Sequence, residues 1–102
     1  MLNKNMMRQA QELQARLARV QEELGNETVE ATAGGGMVTV VVDGHQNLRS
    51  IRIRPEAVDP TDVGMLEDLV LAGVNEGLKK AQELGTKRMA AITGGLKIPG
   101  LG

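Results

Sequence analysis

The sequence predicts an α+β chain: an amino-terminal helix, a three-stranded antiparallel sheet and a long carboxy-terminal helix, in that order. Three observations carry that expectation. Apolar residues recur three and four apart up to Leu24, β-branched residues crowd the middle of the chain between turn signals, and a helix start signal at Asp59 opens a second helical pattern. At 102 residues this is one small domain, which should bury roughly 65% of the surface its unfolded form exposes.

Met6, Ala10, Leu13, Leu17, Val20 and Leu24 form the seam of the first helix. At about 100° per residue they fall in a stripe roughly 80° wide, which suits one partner helix better than a broad core. Gly25-Asn26 stops the pattern. The opposite face carries Lys4, Arg8, Glu12, Arg16, Arg19, Glu22 and Glu23, and the pairs Glu12/Arg16 and Arg19/Glu23 are spaced to neutralise each other within the helix.

Thr28 to Thr32 reads as a weak strand, and Gly34-Gly35-Gly36 turns the chain into Met37 to Val42, the segment richest in β-branched residues. Asp43-Gly44 opens the next turn. In the third strand, Leu48 to Arg54, Ile51 and Ile53 face one way and Arg52 and Arg54 the other. Pro55 ends that strand because proline cannot donate to the ladder.

Asp59-Pro60-Thr61-Asp62 reads as an N-cap, a proline at N1 and an acid at N3. Val63, Leu66, Val70, Val74, Ala81 and Leu84 then share a face with Gly73 and Gly77. Glycine in a helix interior costs about 1 kcal/mol against alanine, so two on the packing face point to a close approach by another backbone. Gly85 is a candidate end or bend, and Lys79, Lys80, Lys87 and Arg88 lie toward the far end, where positive charge suits the helix dipole. The expected divisions are a helix over 1–25, the sheet over 27–55, a helical segment over 60–92 and a mobile glycine-rich tail over 93–102.

A three-stranded sheet with two helices leaves a narrow seam, a glycine face and free sheet edges, each of which asks for a partner. A homodimer is therefore expected. The alternative is a monomer with both helices on one sheet face.

Composition excludes several functions. Without cysteine, disulfides, thiolate metal sites and a cysteine nucleophile are ruled out, and one histidine rules out multi-histidine metal sites. Phe, Trp and Tyr are all absent, so no platform exists for stacking bases of single strands. The net charge of −1 means that any duplex binding must come from locally clustered cations. The amino terminus has no unbroken apolar run, so a soluble, cytoplasmic protein is expected.

Nothing in the chain suggests catalysis. His45 sits in Asp43-Gly44-His45-Gln46-Asn47, which reads as a polar hairpin turn, and the acid pairs Glu22/Glu23 and Glu67/Asp68 are sequence neighbours that do not face each other on a helix. The glycine triplet lies between strands with no lysine after it, unlike a phosphate loop. Three basic clusters remain: Arg49, Arg52 and Arg54 on a strand; Lys79, Lys80, Lys87 and Arg88 on the last helix; and Lys4, Arg8, Arg16 and Arg19 within about 120° of the first helix. Taken alone, each is a solvated face. Doubled by dimer symmetry, they become paired contacts suited to the phosphates of a duplex.

The helix Met7-Arg8-Gln9-Ala10-Gln11-Glu12-Leu13-Gln14, the strand Gly36 to Val40, the segment Gly44 to Pro55, Met65-Leu66-Glu67-Asp68-Leu69-Val70 with Asn75, and the tail Met89 to Gly102 occur in that order. Together they resemble the YbaB/EbfC family of bacterial nucleoid-associated proteins, essentially end to end. The resemblance implies a tweezer-like homodimer, with central β-rich parts associating and helices projecting as paired arms. It also implies double-stranded DNA binding, nucleoid organisation and modulation of gene expression. It implies no catalytic residue, cofactor, metal, small-molecule substrate or membrane partner. On that basis Arg8, Arg16, Arg19, Lys79, Lys80, Lys87 and Arg88 on the terminal helices are the expected DNA contacts, with Arg52 and Arg54 of the third strand behind them. Phosphate contacts predict modest affinity, steep salt dependence and little sequence preference. The competing reading is a dimeric protein-protein interaction module without direct DNA contact.

Overall fold

A computed structural model describes residues 3–94. Helix α1 spans Lys4–Leu24, strands β1, β2 and β3 span Thr28–Ala33, Val38–Asp43 and Leu48–Ile53, a short 3-10 turn covers Pro55–Ala57, and helix α2 runs over Val63–Thr93. The strands form an antiparallel sheet in the order β1-β2-β3. The mobile tail expected over 93–102 lies outside the described residues from 95 onward; Thr93 closes α2 and Gly94 is its C-cap.

Alternation along the central strand decides where the core lies. Val38, Val40 and Val42 point to α2 and are fully buried, joined by Ala31 of β1 and Ala81 of α2. Each such valine contributes about 1.5 to 3 kcal/mol by leaving water. The glycine face of α2 meets this row: a Cβ at Gly77 would lie 2.8 Å from methyls of Val40 and Val42, and one at Gly73 would lie 3.5 Å from methyls of Val38 and Val40. The close approach expected of Gly73, Gly77 and Ala81 is therefore made to the chain's own sheet, leaving none of that face for a second copy.

At the β1–β2 turn Gly34, Gly35 and Gly36 have φ of 62°, 67° and 94°. Three successive left-handed residues exclude side chains there, which accounts for the glycine triplet.

Two features of α2 differ from expectation. The helix starts at Val63, capped by Asp62, whose side chain accepts from Met65 N. Asp59 instead turns its carboxylate onto the Thr61 amide and hydroxyl, so Pro60 precedes the helix. At the other end the helix passes straight through Gly85 to Thr93, placing all four of its basic residues before the last turn, where the dipole benefit is absent.

α1 runs antiparallel to the second half of α2. Leu24 lies beside Ala81 and Gly85 at one end of the contact, and Leu13 shares a groove with Ile92 at the other. The helices thus leave the sheet together as an arm, and the chain measures 70 × 27 × 16 Å.

Candidate nucleic-acid interface

The arm's root is fixed by two polar junctions. At the first, Arg88 of α2 donates to Glu23 of α1 at 2.6 Å and to Glu27, which precedes β1. The Glu23 hydrogen bond, aided by the charge of Glu27, holds the guanidinium above its ordinary pKa. At the second, buried Asp43 accepts from the amides of His45 and Asn47 and from Arg49 Nε at 2.8 Å. The Asn47 amide is the largest influence lowering its pKa to about 2, with Arg49 and His45 adding to it against the cost of burial. Arg49 also donates to the Gly25 carbonyl at 2.9 Å, and His45 Nε2 hydrogen-bonds the Gln21 carbonyl. Both oxygens belong to the end of α1, where helical carbonyls lack intrahelical partners. The β2–β3 turn and the start of β3 therefore cap α1 from outside.

Sequence reasoning missed both junctions. The available signal was Asp43 at the head of a turn, a position where aspartate binds amides further along the chain.

The sequence-predicted contacts separate into groups. Arg88 is held by two carboxylates, and Lys80 donates to the Glu30 carbonyl at 3.0 Å. The β1–β2 register points that carbonyl away from β2, so Lys80 covers the free edge of β1. Arg8 has one long contact to Asn5 at 3.5 Å. Among the described residues no ion pair holds Arg16, Arg19, Lys79, Lys87, Arg52 or Arg54. The expected pairs Glu12/Arg16 and Arg19/Glu23 do not form, and Glu23 turns to Arg88 instead. Lys79 and Lys80 lie over the sheet while Lys87 and Arg88 belong to the arm, so these four are two groups. Arg52 lies opposite Thr39, on the sheet face away from α2, and the Arg54 guanidinium lies near Gly36.

The antiparallel pairing of the helices segregates charge. Residues 4–24 of α1 and 84–93 of α2, which make the arm, hold six cations, Lys4, Arg8, Arg16, Arg19, Lys87 and Arg88, against the three acids Glu12, Glu22 and Glu23, a net of +3. Residues 25–83 hold five cations against ten acids, a net of −5. A chain of net charge −1 thus carries a positive arm on an acidic body. Arg8 and Arg16 stand on the order of 12 Å apart along the helix at about 1.5 Å per residue. Arginines so spaced suit anionic groups repeated along a polymer.

A second uncovered surface adjoins β3. Ile51 and Ile53 share the sheet face of Val40 and Val38, yet α2 lies over β1 and β2, leaving Ile51 41% exposed. The neighbouring flank of α2 presents an apolar groove lined by Leu66, Val70, Leu71 and Val74. The Arg54-to-Met37 and Asp43-to-Asn47 bonds set the ladder so that the peptide groups of Ile51 and Ile53 point outward from the β3 edge.

Residues 1–96 match the model of the YbaB/EbfC DNA-binding family. The chain belongs to that family. A nucleoid-associated protein of Pelotomaculum thermopropionicum is 58% identical over 96 residues, covering 94% of this chain and 91% of the relative. One of Acetivibrio thermocellus is 57% identical over 98 residues, covering 95% and 87%. Among solved structures, an uncharacterized protein from Helicobacter pylori superposes with a TM-score of 0.71 at 18% identity, covering 93% of this chain and 100% of that one. That likeness is one of fold alone. Within the described residues no group of three His, Cys, Asp or Glu side chains is placed to hold a metal ion, and no helix is long and apolar enough to cross a membrane.

Proposed function

We propose that this YbaB/EbfC chain is a nucleoid-associated protein that binds double-stranded DNA as a homodimer, mainly through phosphate contacts from its arms. The segregation of charge supports this reading above all: a +3 arm on a −5 body directs a polyanion to the arm and repels it elsewhere. Arg8, Arg16, Arg19 and Lys87 are the leading contacts because each is on the arm and no described carboxylate neutralises it. Arg88 serves the arm's root. Lys79, Lys80, Arg52 and Arg54 lie on the acidic body and contribute less.

Dimerisation proceeds through β3 and the adjoining flank of α2. Lys80 covers the β1 edge, whereas the β3 edge combines outward peptide groups with exposed Leu48, Ile51 and Ile53. Two copies joined there extend the sheet and cover the Leu66/Val70/Val74 groove, leaving two arms free to hold one duplex. Such contacts position the backbone and read little sequence, consistent with roles in nucleoid organisation and gene expression.

Fluorescence anisotropy of two unrelated labelled 30-bp duplexes, at low and physiological salt, tests the reading. Binding to both, weakening steeply with salt, is expected. Absence of binding at low salt overturns direct DNA contact and favours a protein partner for the dimer.

A further inference from the structure

Gly85 is an interior glycine of α2 that packing does not explain. A Cβ there would have no neighbour closer than 4.0 Å, the distance to Leu24 Cδ1. The helix runs unbroken through this position to Thr93, so alanine would fit and would favour the helix. A second local cost lies nearby: Gln46, in the β2–β3 turn, has a φ of 63°, a left-handed conformation that a residue with a Cβ adopts reluctantly. Both residues line one cavity of about 410 Å³ between the end of α1, that turn and α2. Its volume falls in the range of roughly 300 to 1,000 Å³ found for small-ligand sites.

The lining of this cavity carries no charged side chain. Its polar groups are the carboxamides of Gln21, Gln46 and Gln82 and the hydroxyl of Thr86, alongside the apolar Leu24 and Met89. Gln46 Nε2 donates to the Leu78 carbonyl at 3.3 Å, which ties that side chain to α2 and leaves its oxygen to accept. A carboxamide presents a donor and an acceptor side by side, the pattern that pairs with the N6 and N7 edge of adenine. Leu24 and Met89 offer apolar and sulfur contacts to a ring face, which a chain without Phe, Trp or Tyr must draw from other side chains. The acidic body, with its net charge of −5 over residues 25–83, disfavours a phosphorylated ligand.

We propose that this cavity binds a free, uncharged purine nucleoside, its base edge held by the glutamine carboxamides and its ring lodged over Gly85. The glycine keeps open the space that a methyl would fill. A ligand seated there touches α1, the β2–β3 turn and α2 at once, so it also ties the root of the arm to the sheet. The site is independent of any DNA contact made by the arm.

Titration of the full-length protein with adenosine, followed by the side-chain amide resonances of Gln21, Gln46 and Gln82, tests the assignment. The shifts should saturate, and adenosine monophosphate should bind more weakly than adenosine. Gly85→Ala should raise the thermal midpoint of the ligand-free protein by a few degrees while abolishing the saturable shifts. A role in packing would move stability and binding the same way, so their opposite signs separate the two. Gln82→Ala, at an exposed position of α2, should weaken adenosine without lowering the midpoint. Shifts that do not saturate overturn the proposal, as does undiminished adenosine binding by Gly85→Ala. So does a Gly85→Ala chain that melts earlier than wild type, because the glycine is then required by packing. Equal affinity for the monophosphate overturns the assignment to an uncharged ligand.

Discussion

Arg88 on α2 donates to Glu23 on α1 at 2.6 Å, across 65 positions of sequence, and this pair separates the cations that build the arm from those left to act on a ligand. Arg88→Gln should lower thermal stability by loosening the two helices and Glu27. It should leave the slope of log K against log salt unchanged, because that guanidinium is already neutralised. Arg16→Gln should do the reverse. Each lost phosphate contact lowers the slope by about 0.9, so a symmetric dimer losing two changes it by about 1.8. Salt titrations of both variants on one duplex, paired with thermal melts, check the separation; a reduced slope in Arg88→Gln contradicts it.

The legibility of these features in the sequence followed their range. The α1 seam and the β2 valines depend on periodicity alone; the valines stand buried where their pattern puts them, and the seam is covered from Leu13 to Leu24 while Met6 and Ala10 are exposed. The start of α2 lies three positions later than expected because Asp59 and Asp62 are both competent caps, and only the competing bond from Asp59 to Thr61 decides between them. Glu23 had a partner at helical spacing in Arg19, but Arg88, already fixed by packing, offers two donors to two carboxylates. The charge segregation was present in the residue order throughout. It acquires meaning only once α1 and the end of α2 are known to lie side by side.

The two glycines facing the sheet should respond to alanine with opposite signs. At Gly77 a methyl would sit 2.8 Å from both Val40 and Val42, and such overpacking costs about 1 to 3 kcal/mol, more than the gain of about 1 kcal/mol in helix propensity. At Gly73 the nearest atoms are 3.5 Å away, an ordinary contact, so Gly73→Ala keeps most of the propensity gain of up to about 1 kcal/mol. Urea denaturation should shift the midpoint down for Gly77→Ala and up for Gly73→Ala. A stabilised Gly77→Ala would mean that α2 rides higher on the sheet.

Asp43 makes the fold sensitive to acid. The Asn47 and His45 amides and Arg49 lower its pKa to about 2 in the folded chain, against about 3.9 when unfolded. A depressed carboxylate pKa gives stability that is complete above the unfolded value and is lost as pH falls through the folded one, so this contribution fades between about pH 4 and pH 2. Asp59, lowered by Thr61, acts with the same sign. Asp43→Asn keeps an oxygen for the amides but loses the charge that Arg49 meets. The stability gap between wild type and variant should therefore be widest near neutral pH and shrink toward pH 2, measured by urea midpoints across that range. A constant gap would show that the charge of Asp43 is not what the turn uses.

Ile51 and Ile53 should decide the oligomeric state without touching the helical core. Both lie on β3 beyond the cover of α2, with their peptide groups facing outward. A lysine at either position places a charge in an interface that is otherwise apolar, yet in an isolated chain it faces water at little cost. Ile51→Lys with Ile53→Lys should thus give a folded monomer by sedimentation, with helical content retained by circular dichroism. A monomer carries one arm, so its salt slope on the 30-bp duplex should fall to about half that of the dimer, since the slope scales with the phosphates neutralised. If the variant remains a dimer, the copies meet elsewhere. If it is monomeric and binds with the full slope, one arm alone makes the DNA contacts and the pairing of arms adds none.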